Sequence, residues 1–235
     1  MAAIKDPSKK DAVKTGSLTA KKRVLLVDDH PLYREGLAEF INRERDLEVI
    51  AESESADNAL KVISEIDPDL IILDITLKDS NGIDLIKSIK SQYEHKPILV
   101  LSMHDESLYA ERALRAGAKG FIMKQEATQK VMIAIHTVLN GKIYLSEHMG
   151  QRMLEKQLSG IPDNVSSVGA LSDRELEVFQ LIGDGATTAK IAKDLHLSVK
   201  TVETYRANIK NKLNLKNNTE LIRHAVQWVQ SGKEI

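Results

Sequence analysis

Leu70-Ile71-Ile72-Leu73 sets four large aliphatic residues in succession and closes on a carboxylate, Asp74. Such a strand has no polar face to offer water, so it belongs inside a sheet covered on both sides. Similar runs occur at Val24–Val27 and Ile98–Leu101, with weaker ones at Leu47–Ile50 and Phe121–Met123. Between them lie stretches of roughly 10 to 15 residues with helical spacing. In one, Pro31 suits a first helical turn and Leu32, Leu37, Phe40 and Ile41 form a face; in another, Leu108, Leu114 and nearby Ala residues do so. The alternation predicts an α/β fold over residues 23–145, a doubly wound five-stranded parallel sheet with helices on both faces.

Open parallel sheets bind ligands beyond the carboxyl ends of their strands. Four of the five runs end on chemistry-bearing residues: Asp28-Asp29, Asp74, Ser102 and Lys124. Singly, each has a plainer reading: a helix cap, a loop acid, an ordinary hydroxyl, a solvated lysine. Together they converge on one edge. Clustered carboxylates repel one another, and a hard divalent cation such as Mg2+, which favours carboxylate, water and phosphate oxygens, relieves the repulsion. One acid can then act as a nucleophile toward phosphorus, with cation and ammonium neutralising the transferred group.

The stretches "VDDHPLYREGL" and "GAKGFIMK" make residues 23–145 resemble the receiver domain of a two-component response regulator of the NarL/FixJ type. The resemblance implies that Asp74 is the phosphoacceptor. It implies that Asp28, Asp29, Asp74 and the Thr76 backbone carbonyl hold Mg2+. Ser102 becomes the switch hydroxyl, Phe121 the switch aromatic and Lys124 the phosphate-pairing lysine. Where the family often has Met-Pro after the phosphoacceptor, this chain has Leu77-Lys78, with Gly82 retained.

The second half has a different character. "LSDREL" at Leu171–Leu176 pairs Ser172 with Glu175 as a capping box and Leu171 with Leu176 as a hydrophobic staple. A second helix is expected over Thr188–Leu195, a tight turn at His196-Leu197, and a third helix capped by Ser198. Val202, Tyr205, Ile209 and Leu213 share one face of that helix; Lys200, Glu203, Thr204, Ala207, Lys210 and Asn211 share the other. Two short helices, a turn and a polar third helix make a helix-turn-helix unit, or equally a small bundle with a solvated face. Charge favours DNA: residues 190–216 hold seven Lys/Arg against Asp194 and Glu203, whereas residues 23–145 hold 15 basic and 21 acidic side chains. "SDRELEVFQLIGDG" and "KTVETYRANIKNKL" make residues 171–229 similar to the LuxR-type DNA-binding domain. The resemblance implies an all-α four-helix domain over 171–235, contacting DNA through Lys200, Thr201, Glu203, Thr204, Arg206, Ala207 and Lys210, and a fourth helix that dimerises. Lys190 stands where most relatives carry Glu.

Residues 1–22, Lys-rich and aperiodic, read as a disordered tail, and 146–170 as a linker helix followed by a flexible Pro/Gly/Ser-containing linker. The absence of cysteine excludes disulfides, thiolate metal sites and cysteine catalysis, and suits a cytoplasmic protein. No secretory signal core or membrane-length apolar run is present. The expected function is a DNA-binding transcriptional regulator, phosphorylated at Asp74 by a histidine kinase, a homodimer when phosphorylated, and not an enzyme. Two alternatives remain: a phospho-regulated adaptor whose helical domain binds protein, and an aspartyl phosphatase. Against the latter, the position two residues after Asp74, where such phosphatases place a second acid, is Thr76.

Overall fold

The computed structural model describes residues 20–77, 80–103, 105–158 and 167–230. The predicted tail up to residue 19, most of the predicted flexible linker, Lys78 and His104 lie outside them; where the predicted tail is described, Lys22 already pairs in the sheet, and the predicted linker's last residues, Ser167–Ala170, form a 3-10 turn with Val168 buried.

The first unit alternates strand and helix: β1 (Lys22–Val27), α1 (Pro31–Asn42), β2 (Leu47–Ser53), α2 (Ala56–Ile66), β3 (Leu70–Leu73), α3 (Gly82–Gln92), β4 (Ile98–Ser102), α4 (Glu106–Ala116), β5 (Gly120–Met123) and α5 (Thr128–Leu139). All pairings are parallel and the strand order is β2-β1-β3-β4-β5, so the order reverses between β1 and β3. Alternate strand residues face opposite layers. Val24, Leu26, Ile72, Leu99 and Ile122 pack on α1 and α5 through Leu37, Ile41, Val131 and Ile135. Leu25, Val27, Ile71, Leu73 and Phe121 face the opposite way, toward Ala59 and Ile63 of α2, Ile86 and Ile89 of α3, and Ala110 and Ala113 of α4. β3 is buried at all four positions, as a central strand covered on both faces must be.

α6 (Glu147–Leu158) follows, and Ser146 donates its backbone N–H to Glu106 of α4 at 3.0 Å. The second unit contains α7 (Asp173–Gly183), α8 (Thr188–Asp194), α9 (Val199–Lys212) and α10 (Asn218–Gln230). The capping box is formed: Ser172 Oγ accepts from Glu175 N, and Glu175 Oε2 accepts from Ser172 N at 2.7 Å. Leu171 and Leu176 are both buried, as the staple requires. Thr187 caps α8 and Ser198 caps α9. The turn between α8 and α9 places His196 at φ 53°, the left-handed region. α7 and α10 cross closely at Gly183, where a Cβ would lie 2.5 Å from the Ala225 carbonyl oxygen. Phe179 and Trp228 pack beside that crossing at 5.4 Å between ring centroids. Gly183→Ala is therefore expected to destabilise the helical unit by about 1–3 kcal/mol through overpacking. Urea denaturation followed by fluorescence of Trp228, the single Trp, reads this unit directly.

Candidate phosphoacceptor site and nucleic-acid interface

Parallel strands deliver their carboxyl ends to one edge, and two backbone bonds keep those ends level. Asp74 N donates to Val27 O at 2.9 Å and Lys124 N to Ser102 O at 2.8 Å. Asp28, Asp29, Asp74, Ser102 and Lys124 therefore meet where strand order reverses. Lys124 Nζ lies 2.6 Å from Asp28 Oδ2 and 2.7 Å from Asp74 Oδ2, with both the ammonium and Asp74 side chains only 2% exposed. Burial holds the Asp74 carboxyl above the ordinary Asp range; Lys124 opposes the shift and Asp28 adds to it. Neither acid of the Asp28-Asp29 pair caps α1, which has no side-chain cap. Instead Asp28 Oδ1 accepts from His30 N at 2.9 Å, which turns the pair into the site.

Ligand atoms of Asp28, Asp29, His30 and Asp74 lie within 4.8 Å of one another. Asp29 Oδ1 is buried without a hydrogen-bond partner, although His30 Nδ1 is 2.9 Å away. A crowded acid set with an orphaned oxygen fits a hard divalent cation better than it fits an empty loop. Thr76 is adjacent, its N–H 3.4 Å from Asp74 Oδ1. Ser102 and Phe121 are fully buried, Ser102 as the last residue of β4 and Phe121 inside the neighbouring β5, paired with Val100.

Three participants carry no signal in the sequence that would single them out. His30 enters because the turn after β1 folds back on the acids. Tyr33, two residues into α1, lies over Lys124 with 4.6 Å from Nζ to the ring centroid, a cation–π contact. Burial, with the negative charges of Asp28 and Asp74, pushes its hydroxyl up to about 12, so it stays protonated. Asn81, at the N-terminus of α3, bridges to Thr76 and touches the second unit.

On α9, Lys200, Glu203, Thr204 and Ala207 are exposed, and Thr201 and Lys210 partly so. Glu203 Oε1 accepts from Thr188 Oγ1 at 3.0 Å, which orients the carboxylate. Arg206 departs from the expectation of an open DNA contact. It is buried, and its Nη1 donates to Thr188 Oγ1 at 2.9 Å. The helical period places it beside Val202 and Ile209, where the guanidinium ties α9 to α8. Lys210→Ala should therefore lower the magnitude of the log K against log [salt] slope for duplex binding by roughly 0.9, as loss of one phosphate contact does. Arg206→Ala should leave that slope unchanged and lower the stability of the helical unit instead. Salt titrations of both variants, with a urea melt, separate the two roles.

The match to known families follows the same two-part division. Residues 24–136 match the response regulator receiver domain, and residues 169–225 match the bacterial regulatory proteins of the luxR family. The oxygen regulatory protein NreC of Staphylococcus epidermidis is 32% identical over 211 residues, covering 87% of this chain and 97% of that protein. The transcriptional regulatory protein DegU of Brevibacillus brevis is 28% identical over 226 residues, covering 89% and 96%. Among solved structures, RcsB of Salmonella enterica serovar Typhimurium bound to promoter rprA in the presence of the phosphomimetic BeF3− aligns with TM-score 0.58 and 26% identity. That alignment covers 88% of this chain and 98% of RcsB. This chain belongs to the NarL/FixJ-type response regulators, a receiver domain joined to a LuxR-type DNA-binding domain. Among the described residues no helix is long and apolar enough to cross a membrane.

Proposed function

We propose that Asp74 accepts a phosphoryl group from the phosphohistidine of a partner histidine kinase, and that this controls transcription through DNA binding by α9 in a homodimer. The observation that carries the reading is the buried contact of Lys124 with Asp74 and Asp28 at the strand-order switch. An Asp74 carboxylate oxygen attacks phosphorus, the P–O bond forms as the P–N bond breaks, and the histidine leaves with the electron pair and takes a proton. Lys124 is placed to pair with a phosphoryl oxygen once Asp74 is modified. Ser102, at the end of β4, is placed to donate its hydroxyl to another. Phe121, one strand over and opposite Val100, is buried in the apolar layer on the α2–α4 side of the sheet.

The residues suited to Mg2+ are Asp28, Asp29, Asp74 and the Thr76 carbonyl. When bound, the ion offsets the negative charge of the carboxylates and of the arriving phosphate. Thr76, in place of a second acid, offers no group to protonate a leaving alcohol. The reading is accordingly a regulator that carries its own acyl phosphate, not a phosphatase acting on other substrates, and a cytoplasmic one.

Incubation with a small phosphodonor and Mg2+ should label wild type on Asp74. Asp74→Asn, which keeps size and removes the nucleophile, should take no hydroxylamine-labile label, and a chelator should abolish labelling of wild type. Equal labelling of both proteins, located by mass spectrometry, would place the acceptor elsewhere. Phosphorylated protein that shows no salt-dependent affinity for duplex DNA would favour the adaptor alternative.

A further inference from the structure

α9 carries a single acid, Glu203, among Lys200, Arg206, Lys210 and Lys212. A carboxylate on a face turned toward phosphates is repelled by them, so its presence there needs a compensating contact. This carboxylate is also held. Arg206 Nη1 donates to Thr188 Oγ1 at 2.9 Å, and Thr188 Oγ1 donates to Glu203 Oε1 at 3.0 Å. Chemistry fixes the direction of that chain. A guanidinium only donates, so the Thr188 oxygen accepts from Arg206; a hydroxyl has one hydrogen, and it goes to Glu203. Arg206 Nε lies 3.8 Å from Glu203 Oε2, which keeps positive charge behind the carboxylate. The anchor is packed, with Arg206 buried and Thr188 half-buried, whereas the Glu203 side chain is 53% exposed.

One oxygen of Glu203 is therefore taken and one is open. Oε1 has its partner on α8; Oε2 has no hydrogen bond among the described residues. Its neighbours on the exposed face add no competing donor. Thr204 Oγ1 donates to Lys200 O at 3.1 Å, which commits its hydrogen within the helix, and Ala207 offers only a methyl group. Around Glu203 the face presents one anionic acceptor and apolar groups.

Base edges in the major groove sort on that pattern. Cytosine shows a lone N4 amino donor. Guanine shows two acceptors, O6 and N7, and thymine shows the O4 acceptor; adenine sets its N6 donor beside the N7 acceptor. A single free carboxylate oxygen is matched by cytosine and repelled by the lone pairs of guanine and thymine. At adenine it gains N6 but meets N7 alongside.

We propose that Glu203 reads a cytosine N4 amino group in each half-site of the DNA, and that Thr188, backed by Arg206, is the positioning residue that makes the reading selective. The proposal rests on the reading of α9 as the DNA contact of a homodimer. A freely rotating glutamate would have to be ordered on binding and would carry an unpaired oxygen into the interface. Here the side chain is already held and that oxygen already paired, so both costs are reduced before DNA arrives. Thr188 acts through Glu203.

The probe is a duplex pool with a random core of about 20 base pairs, two helical turns, bound by the full chain with and without BeF3− and Mg2+. Wild type should select a C·G pair in each half-site that Glu203→Ala no longer selects. Changing that pair to T·A in the selected duplex should weaken wild-type binding about tenfold or more. Replacing the cytosine alone by pyrimidinone, which lacks only the N4 amino group, should weaken wild type similarly and leave Glu203→Ala indifferent.

Thr188→Val keeps the shape and removes the hydroxyl, and should lose most of the discrimination between C·G and T·A; Thr188→Ser should keep it. The loss should fall on the C·G duplex. A general loosening of the helical unit, read as a lower urea midpoint from Trp228, would weaken both duplexes alike. In the Glu203→Ala background Thr188→Val should change discrimination no further. Thr188→Ala replaces Thr188→Val if the latter does not fold.

A Glu203-dependent position that prefers another base overturns the cytosine assignment. Full discrimination in folded Thr188→Val, or an equal loss when Glu203 is already Ala, overturns the positioning role. Salt-dependent binding with no base preference overturns the inference and leaves the DNA-binding reading standing. No salt-dependent binding at all fails that reading itself, and the inference with it.

Discussion

Lys124→Met is expected to destabilise the metal-free receiver by about 3 kcal/mol at pH 8, since removing one partner of a buried ion pair leaves uncompensated charge. The loss is large here because one ammonium serves both Asp28 and Asp74, at 2.6 Å and 2.7 Å. Methionine fills much of the same volume, so little of the effect is a cavity. The destabilisation should shrink at pH 5.5, where Asp74, already raised by burial, protonates more readily, and should shrink again in millimolar Mg2+. Urea denaturation followed by far-UV circular dichroism reads both domains and Trp228 fluorescence the helical one, so the receiver's transition is the ellipticity change that Trp228 does not follow. Equal stability of variant and wild type in EDTA at pH 8 would mean that Lys124 offsets no repulsion among the acids.

Gly82→Ala is expected to cost more function than any other single methyl in the receiver. Its Cβ would fall 2.3 Å from the Asp74 carbonyl oxygen and 2.7 Å from Ile75 Cα, both backbone atoms that no rotamer change can move aside. The loop must shift, at about 1–3 kcal/mol of stability. Asp74 then leaves its place beside Lys124, and the labelling rate should fall more than tenfold. Gly36→Ala is the contrast. Gly36 lies within α1 with nothing within 4 Å of its Cβ position, so the same substitution should stabilise the chain by up to about 1 kcal/mol. Parallel melts and labelling time courses distinguish loop displacement from a generic effect of adding a methyl group. A Gly82→Ala protein that labels at the wild-type rate would show that the loop tolerates displacement.

Much of this protein was legible along the chain. Continuous aliphatic runs such as Leu70–Leu73 can only be buried strands, and the residue after each is where a parallel sheet brings its ligand groups. Asp28, Asp29, Asp74, Ser102 and Lys124 therefore needed no coordinates to be placed on one edge. The capping box at Ser172–Glu175 is equally local, because a helix start is decided by the few residues whose N–H groups it must satisfy. On α9 the helical period separated Val202 and Ile209 from Lys200, Glu203 and Thr204.

Arg206 shows the limit of that reading. A basic residue on a basic helix was expected to face DNA, but its angular position beside Val202 and Ile209 turns it inward, where Thr188 of another helix receives it. Tyr33 over Lys124, and His30 beside the acids, depend on where α1 lands on the sheet. The contact of Asn81 with Glu177 spans 96 residues and two domains, and no periodicity or motif encodes it. The sequence by itself determined which groups the chain carries to the ends of its strands and helices, because strand burial, capping and amphipathic spacing are local. Only the tertiary structure decided which of those groups meet across elements, because such pairs depend on layer packing and domain docking, whose energies are summed over many distant residues.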